Sequence, residues 1–181
     1  GLARMDAAFQ GTIQHAFPAV ARLLETDRNL QQALVAQRNL LFTSLASETG
    51  KTEVEAQRAR LADARASWQA FVACAPTGVA EEKRAQFELA LDEWEKLGAE
   101  VLEVLAEDTP AARRDAIDLS VATGNAVFER ARTALSALVD AHTDAARLAA
   151  EANGLEANST RSTLWTAIVA GSVGALALGF L

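Results

Sequence analysis

Three arginines and three other polar residues interrupt the apolar stripes of the predicted helices, and their chemistry suits a small carboxylate. A guanidinium group donates hydrogen bonds in a planar fork that matches a carboxylate at two points. Ligand sites in helical bundles commonly lie between helices or between subunits, so these side chains predict such a pocket. The candidate ligand-binding residues are Arg38, Arg58, Arg65, Asp27, Gln31 and Thr123.

The same polar residues have a second interpretation, in which they have a structural role only. At the edge of an apolar stripe, a long polar side chain reaches water or pairs with a neighbour, as Asp27 would with an arginine. The sequence leaves both interpretations open.

Patterns for catalysis and for metal binding are missing from the sequence. Its two histidines, His15 and His142, are far apart, and the Glu-x-x-His motif of di-iron bundles does not occur. There is no phosphate-binding glycine loop and no G-x-S-x-G motif. Cys74 is the only cysteine, which excludes an internal disulfide and a cysteine-rich metal site. We therefore expect no enzyme activity, no metal and no cofactor.

The elements that would position these side chains are long helices. Alanine, leucine, glutamate and arginine dominate before residue 164, proline and glycine are rare there, and no stretch alternates like a strand. We predict four helices over 2–46, 52–74, 79–107 and from 110 onward. Short connections place sequential helices side by side, so the predicted fold is all-α, an antiparallel up-down-up-down four-helix bundle.

Local signals set the predicted ends of these helices. Gly50 is expected to stop the first helix, and Thr52 to open the second with a capping box. Asp108 or Thr109 is expected to cap the fourth helix, with Pro110 at its first position, where a missing N–H is harmless.

Alternating three- and four-residue spacing predicts the face that each helix turns to the core. On the first two helices the stripes are Val20, Leu24, Asp27, Gln31, Leu34, Arg38, Leu41 and Leu45, then Val54, Arg58, Leu61, Arg65, Trp68 and Val72. On the last two they are Phe87, Leu91, Trp94, Gly98, Val101 and Leu105, then Ile117, Val121, Gly124, Phe128, Ala131, Leu135 and Leu138.

The segment 164–181 carries no charged residue and is long enough to span a bilayer, which takes roughly 17–25 apolar residues. We therefore expect a domain over 1–163 and a transmembrane helix over 164–181 that is cut at its C-terminal end. No strong helix breaker follows Pro110, so the fourth helix is predicted to continue into the membrane. The flank before the span is not basic, which favours a bacterial inner membrane with the bundle facing the periplasm.

The net charge of −7 argues against a nucleic-acid partner, for which a basic patch would be expected. We therefore expect no nucleic-acid partner.

The stretch FPAVARLLETDRNLQQALVAQRNLL, residues 17–41, resembles the first periplasmic helix of bacterial methyl-accepting chemotaxis proteins. Within it, the seven residues 27–33 are similar to an Asp-Arg-Asp-Leu-Tyr-Gln-Ala pattern of helical sensor domains. The chain departs from that pattern with Asn29 in place of aspartate and Gln31 in place of tyrosine.

The resemblance implies a homodimeric ligand-binding domain between two transmembrane helices, followed by a cytoplasmic signalling region. Several such domains bind amino acids or organic acids near the dimer interface. Their ligand arginines often lie on the first helix, which implies a role for Arg38 and, from the partner-facing side, for Arg28.

The expected function is therefore that of a transmembrane chemoreceptor sensor domain. It would bind a small molecule such as an organic or amino acid and transmit a helix shift across the membrane. Three alternatives remain at this stage: the sensor domain of a histidine kinase, that of a nucleotide cyclase, and a membrane-anchored bundle that binds a protein partner.

Overall fold

The computed structural model describes residues 17–75 and 78–152, and all regular structure in these residues is helical. The first three helices are α1 (Phe17–Leu40), α2 (Glu48–Cys74) and α3 (Glu81–Leu105). The fourth helix consists of α4 (Pro110–Asp118), a π-helical segment (Leu119–Gly124) and α5 (Asn125–Ala152). Its backbone stays right-handed at both junctions, so these three parts form one helix. The all-α prediction is confirmed.

The connection between α1 and α2 differs from the prediction. α1 ends at Leu40, and Ser47 caps α2 by accepting a hydrogen bond from the amide of Gly50 at 2.9 Å. Gly50 therefore lies in the first turn of α2 and does not stop α1. A Cβ there would overlap the carbonyl oxygen of Ser44, so the glycine is required by close backbone approach. The prediction that Thr52 opens α2 is wrong for the same reason.

The start of the fourth helix agrees with the prediction. The Thr109 hydroxyl accepts a hydrogen bond from the amide of Ala112 at 3.1 Å, and Pro110 occupies the first turn. The Arg113 guanidinium then donates to the carbonyl oxygens of Leu41 at 2.9 Å and Thr43 at 3.4 Å. This arginine ties the α1–α2 connection to α4.

The core consists of two apolar clusters. The larger apolar cluster contains the aromatic rings Trp68, Phe71, Phe87, Trp94 and Phe128, packed with aliphatic residues of all four helices. The smaller apolar cluster contains Leu40, Leu41, Val101, Leu105 and Ala116.

The predicted core stripe is confirmed on α3, where all six of its residues are buried. Of the stripes predicted for the first two helices, Val20, Leu41 and Trp68 are buried as predicted, but most of the buried face of α1 and α2 lies one residue before the predicted positions. The residues buried there include Leu23, Thr26, Leu30, Ala33, Gln37 and Leu40 on α1, and Gln57, Ala64, Ser67, Trp68 and Phe71 on α2. Alanines and polar residues make up much of this face, so apolar spacing alone pointed to its edge.

Within 17–75 and 78–152, no helix is long and apolar enough to cross a membrane. The predicted span over 164–181 lies outside the described residues, as do the first part of the predicted first helix and the turn at 76–77.

A polar layer and a charged groove as candidate sites

The three predicted ligand arginines have different surroundings. Arg38 is exposed and donates to the side-chain oxygen of Asn125 at 3.0 Å, and Arg58 is exposed on α2. Arg65 is half-buried and binds Glu95 at 2.8 Å and also Asp92, both on α3. Both hydrogen bonds raise the pKa of Arg65 above its ordinary value, and the bond to Glu95 contributes most. The structure therefore pairs Arg65 within the bundle.

Two of the other predicted residues lie together. The Gln31 amide donates to the Asp27 carboxylate at 2.6 Å, and the Arg132 guanidinium on α5 approaches the same carboxylate at 3.3 Å. Asp27 thus pairs internally with an arginine, as the structural interpretation expected. Thr123 is exposed in the π-helical segment. A ligand-binding role for the six predicted residues stays a prediction.

A layer of buried polar side chains crosses the bundle. We call it the central polar layer and define it by Gln37 on α1, Gln57 on α2, Trp94 and Gly98 on α3, and Ser120 in the π-helical segment. The four side chains are each no more than 2 % exposed. Both polar atoms of Gln37, the Gln57 oxygen, the Trp94 indole nitrogen and the Ser120 hydroxyl lack hydrogen-bond partners among the described residues.

Gly98 lies next to the two buried amides. A Cβ on this glycine would lie 3.2 Å from the Gln57 side-chain nitrogen and 3.8 Å from that of Gln37. The glycine therefore leaves the space that both amides occupy. A buried polar group without a partner costs about 1–3 kcal/mol, so this layer is a costly element of the core.

The central polar layer separates the two apolar clusters. Along each helix, one residue of the layer (Gln37, Gln57, Gly98 or Ser120) lies between a residue of the larger cluster and one of the smaller cluster, where residues that pack on a cluster are counted with it. These flanking pairs are Ala33 and Leu40 on α1, Leu61 and Val54 on α2, Leu97 and Val101 on α3, and Val127 and Ala116 on the fourth helix. Trp94 itself belongs to the larger cluster. The layer therefore divides the core at one level.

The π-helical segment lies at this level and changes which residues of the fourth helix are buried. Before Gly124 the buried residues are four apart, at Ala112, Ala116 and Ser120. The predicted residue Val121 is 51 % exposed. A π turn holds one extra residue, which rotates the preceding helix relative to an ideal α-helix. The predicted stripe is correct from Gly124 onward and wrong at Val121 for this reason.

A charged groove of about 380 Å³ lies between α1 and α2. We call it the α1–α2 groove. Its rim holds three arginines and two acids, and its other lining residues include Asn29, Ser67 and two alanines. Arg22 binds Glu25 at 2.7 Å, Arg60 binds Asp63 at 3.3 Å, and Arg28 lies 3.7 Å from Glu25.

His142 is buried on α5 against the ring of Phe71, which it meets nearly at right angles with ring centres 5.1 Å apart. Its Nε2 lacks a hydrogen-bond partner among the described residues. Burial lowers the pKa of His142, and the charge of Arg84 lowers it further. No group of three or more histidine, cysteine, aspartate or glutamate residues in the described part of the chain could hold a metal ion.

Sequence reasoning missed both the central polar layer and the α1–α2 groove. Gln37 and Gln57 are each one residue away from a predicted stripe position, so the predicted core did not include them. Arg22 and Arg60 carried no signal, because each has an acid three residues away on its own helix. Arg28 had a ligand role only as an implication of the family resemblance.

Comparison with known proteins gave no match to a family, to a curated sequence or to a solved structure.

Proposed function

We propose that this chain is the sensory input domain of a transmembrane receptor of the chemoreceptor type. In this proposal an up-down-up-down bundle in the periplasm binds a small molecule that carries a carboxylate. Binding shifts the fourth helix, and the uncharged segment 164–181 carries that shift into the inner membrane. The receptor acts as a homodimer. A histidine kinase or a nucleotide cyclase could use the same input.

Contacts between helices support the up-down order. Asp27 pairs with Arg132 and Arg38 with Asn125, so residue numbers rise along α1 as they fall along α5. Arg65 pairs with Glu95, and the Trp68 indole donates to Glu88 at 3.0 Å, which gives the same opposed order for α2 and α3.

The observation that carries the proposal is that a π-helical segment holds the fourth helix in a core register other than the one its apolar pattern favours. The apolar pattern of the sequence favours Ile117 and Val121, whereas the π-helical segment buries Ala116 and Ser120 instead. Conversion of the π turn to an α turn would rotate α4 by about 100° and move it by about 1.5 Å. It would bring Val121 toward the core, bury Ile117 more fully than its present packing on the smaller apolar cluster, and release Ser120.

The favourable and unfavourable contributions to conversion from the π register to the α register partly offset each other. Full burial of Val121 contributes about 1.5–3 kcal/mol, and release of the unpartnered Ser120 hydroxyl adds about 1–3 kcal/mol. Placing the larger Ile117 where Ala116 lies costs about 1–3 kcal/mol in overpacking, and the close packing of α4 on its neighbours must also change. A difference of a few kcal/mol is within the range that a ligand can shift through differential affinity.

The test uses the full chain in detergent micelles. Amino acids and organic acids are screened for an increase in melting temperature, because a ligand that binds the folded state stabilises it. Hydrogen exchange of residues 119–124 is then measured by mass spectrometry with and without each stabilising compound. We expect such a compound to alter exchange in this segment and to leave α3 nearly unchanged. The proposal fails if no compound stabilises the chain, or if binding leaves exchange at 119–124 unchanged.

A further inference from the structure

We propose that the α1–α2 groove is the ligand site and that its ligand is a zwitterion with a carboxylate and a cationic nitrogen, such as a free amino acid. This inference rests on the proposed function, since it assumes that a small molecule acts on the domain. It assigns the site to a place that the predicted arginine set, Arg38, Arg58 and Arg65, does not line.

Asn29 is the strongest indication of a binding site in the groove. This residue is only 3 % exposed, it lines the groove, and no described group makes a hydrogen bond to its side chain. The Asn29 amide atoms are not fully enclosed, so they can bond to whatever fills the groove. A ligand there would supply a hydrogen-bond partner in place of solvent. Ser67 lies on the opposite wall, and its hydroxyl donates to the Asp63 carbonyl, so its oxygen can still accept a hydrogen bond.

Arg28 is the guanidinium most available to a carboxylate. Among the described residues its acid contact is the 3.7 Å approach to Glu25, and its side chain is 64 % exposed. Arg22 and Arg60 lie closer to their acid partners, so they contribute mainly to the electrostatic potential of the groove. A carboxylate facing Arg28 would form a bidentate, charge-assisted pair, which is stronger than a neutral hydrogen bond.

The acids on the rim determine the second charge of the ligand. Glu25 and Asp63 each pair with a rim arginine, but a carboxylate can accept from more than one donor, so each can also accept from an ammonium group. A second carboxylate would instead meet the negative charge of both acids. A plain dicarboxylate would meet both repulsions, whereas a zwitterion finds a partner for each of its charges. The groove therefore favours a molecule with one charge of each sign.

The dimensions of the groove fit a molecule of this size. A volume of about 380 Å³ lies at the lower end of the range for small-molecule sites, roughly 300–1,000 Å³. The α2 wall includes the short side chains of Ala66 and Ala70, which leave space beside Asn29. A free amino acid fits this space better than a nucleotide or a peptide.

Isothermal titration calorimetry on the full chain in detergent tests the inference. The probes are the proteinogenic amino acids, each compared with its carboxylic acid without the amino group and its amine without the carboxylate, for example alanine with propionate and ethylamine. We expect at least one amino acid to bind and both of its analogues to bind at least tenfold more weakly. Arg28→Gln and Asn29→Ala should each weaken binding of that amino acid at least tenfold.

Arg58→Gln is the matched control, because Arg58 is exposed on α2 and does not line the groove. It should leave the affinity unchanged. Weaker binding in Arg58→Gln together with unchanged binding in Arg28→Gln would overturn the groove assignment in favour of the predicted arginines. Binding of carboxylic acids but of no amino acid would overturn the zwitterion while leaving the proposed function in place. An amino acid that binds at Arg28 without altering exchange at 119–124 would support the groove and contradict the proposed function.

Discussion

Gln37 places a whole amide in the interior of the bundle without a hydrogen-bond partner among the described residues for either polar atom. Replacing such a group with an apolar side chain of similar size removes the cost of burying it. Gln37→Leu is therefore expected to raise the free energy of unfolding by about 1–3 kcal/mol. Urea denaturation followed by circular dichroism measures this change.

The control for this substitution is Gln32→Leu on the exposed side of α1. It should change the stability by less than about 0.5 kcal/mol, as surface substitutions usually do. If Gln37→Leu lowered the stability, Gln37 would have to form hydrogen bonds in solution that strengthen the folded state.

His142 makes the stability of the domain depend on pH. Burial and the nearby charge of Arg84 lower its pKa in the folded state below the ordinary value of 6.5. The folded state therefore disfavours the protonated form, and stability present above this ordinary value is lost as the pH falls below it. Melting temperatures measured from about pH 8 to about pH 5 should decrease over this interval.

His142→Phe should remove much of this decrease, because phenylalanine does not titrate and can still pack beside Phe71. An equal decrease in the wild type and in this variant would show that other groups cause the pH dependence.

The π-helical segment can be tested by removing its extra residue. Deletion of the exposed Ala122 would let the fourth helix continue as a regular α-helix with Ala116 and Ser120 still facing the core. We expect this variant to fold with a melting temperature equal to or above that of the wild type. The α register that buries Val121 would no longer be accessible without a new distortion.

Deletion of Ala99, an exposed residue of α3, is the matched control. It would rotate one part of a regular helix by about 100° relative to the other and turn core residues toward water. This deletion should lower the melting temperature strongly. Equal losses for the two deletions would contradict the idea that the π turn holds a removable residue.

At the scale of single elements, sequence predicts best where apolar side chains are large and regularly spaced. The stripe of α3 was correct because Phe87, Leu91 and Trp94 dominate its pattern. On α1, buried alanines and Gln37 shift the core face, and no apolar count detects them. The π turn was missed because it is stabilised by tertiary packing, while the local sequence favours Val121 in the core.

At the scale of the molecule, the helix content, the Thr109 cap and the all-α class follow from composition and turn residues. The candidate sites do not follow from composition and turn residues, because each site depends on which residues of different helices meet. Arg65 was assigned to a ligand, yet it pairs with Glu95, an acid thirty positions away in sequence. Nothing in the sequence indicated a ligand contact at Asn29. Its position in the lining of the α1–α2 groove, together with Ser67, is what indicates one.

The division of the core predicts that the bundle opens in two stages. The larger apolar cluster holds the buried aromatic rings of the described residues, whereas the smaller one is aliphatic and lies beyond the central polar layer. Less apolar surface holds the smaller end together, and the unpartnered amides of the layer weaken its coupling to the rest. Amides near Leu40, Leu105 and α4 should therefore exchange through a partial opening, with a lower free energy than amides near Phe87 and Phe128.

Native-state hydrogen exchange at increasing urea concentrations distinguishes this partial opening from global unfolding, since an opening that exposes less surface depends less on urea. Gln37→Leu should reduce the difference between the two groups of amides, because it joins the clusters through an apolar contact. Arg38→Gln, at a neighbouring but exposed position, should preserve the difference. A single exchange free energy for both groups in the wild type would mean that the central polar layer does not divide the bundle, and that a shift of α4 must involve the whole domain.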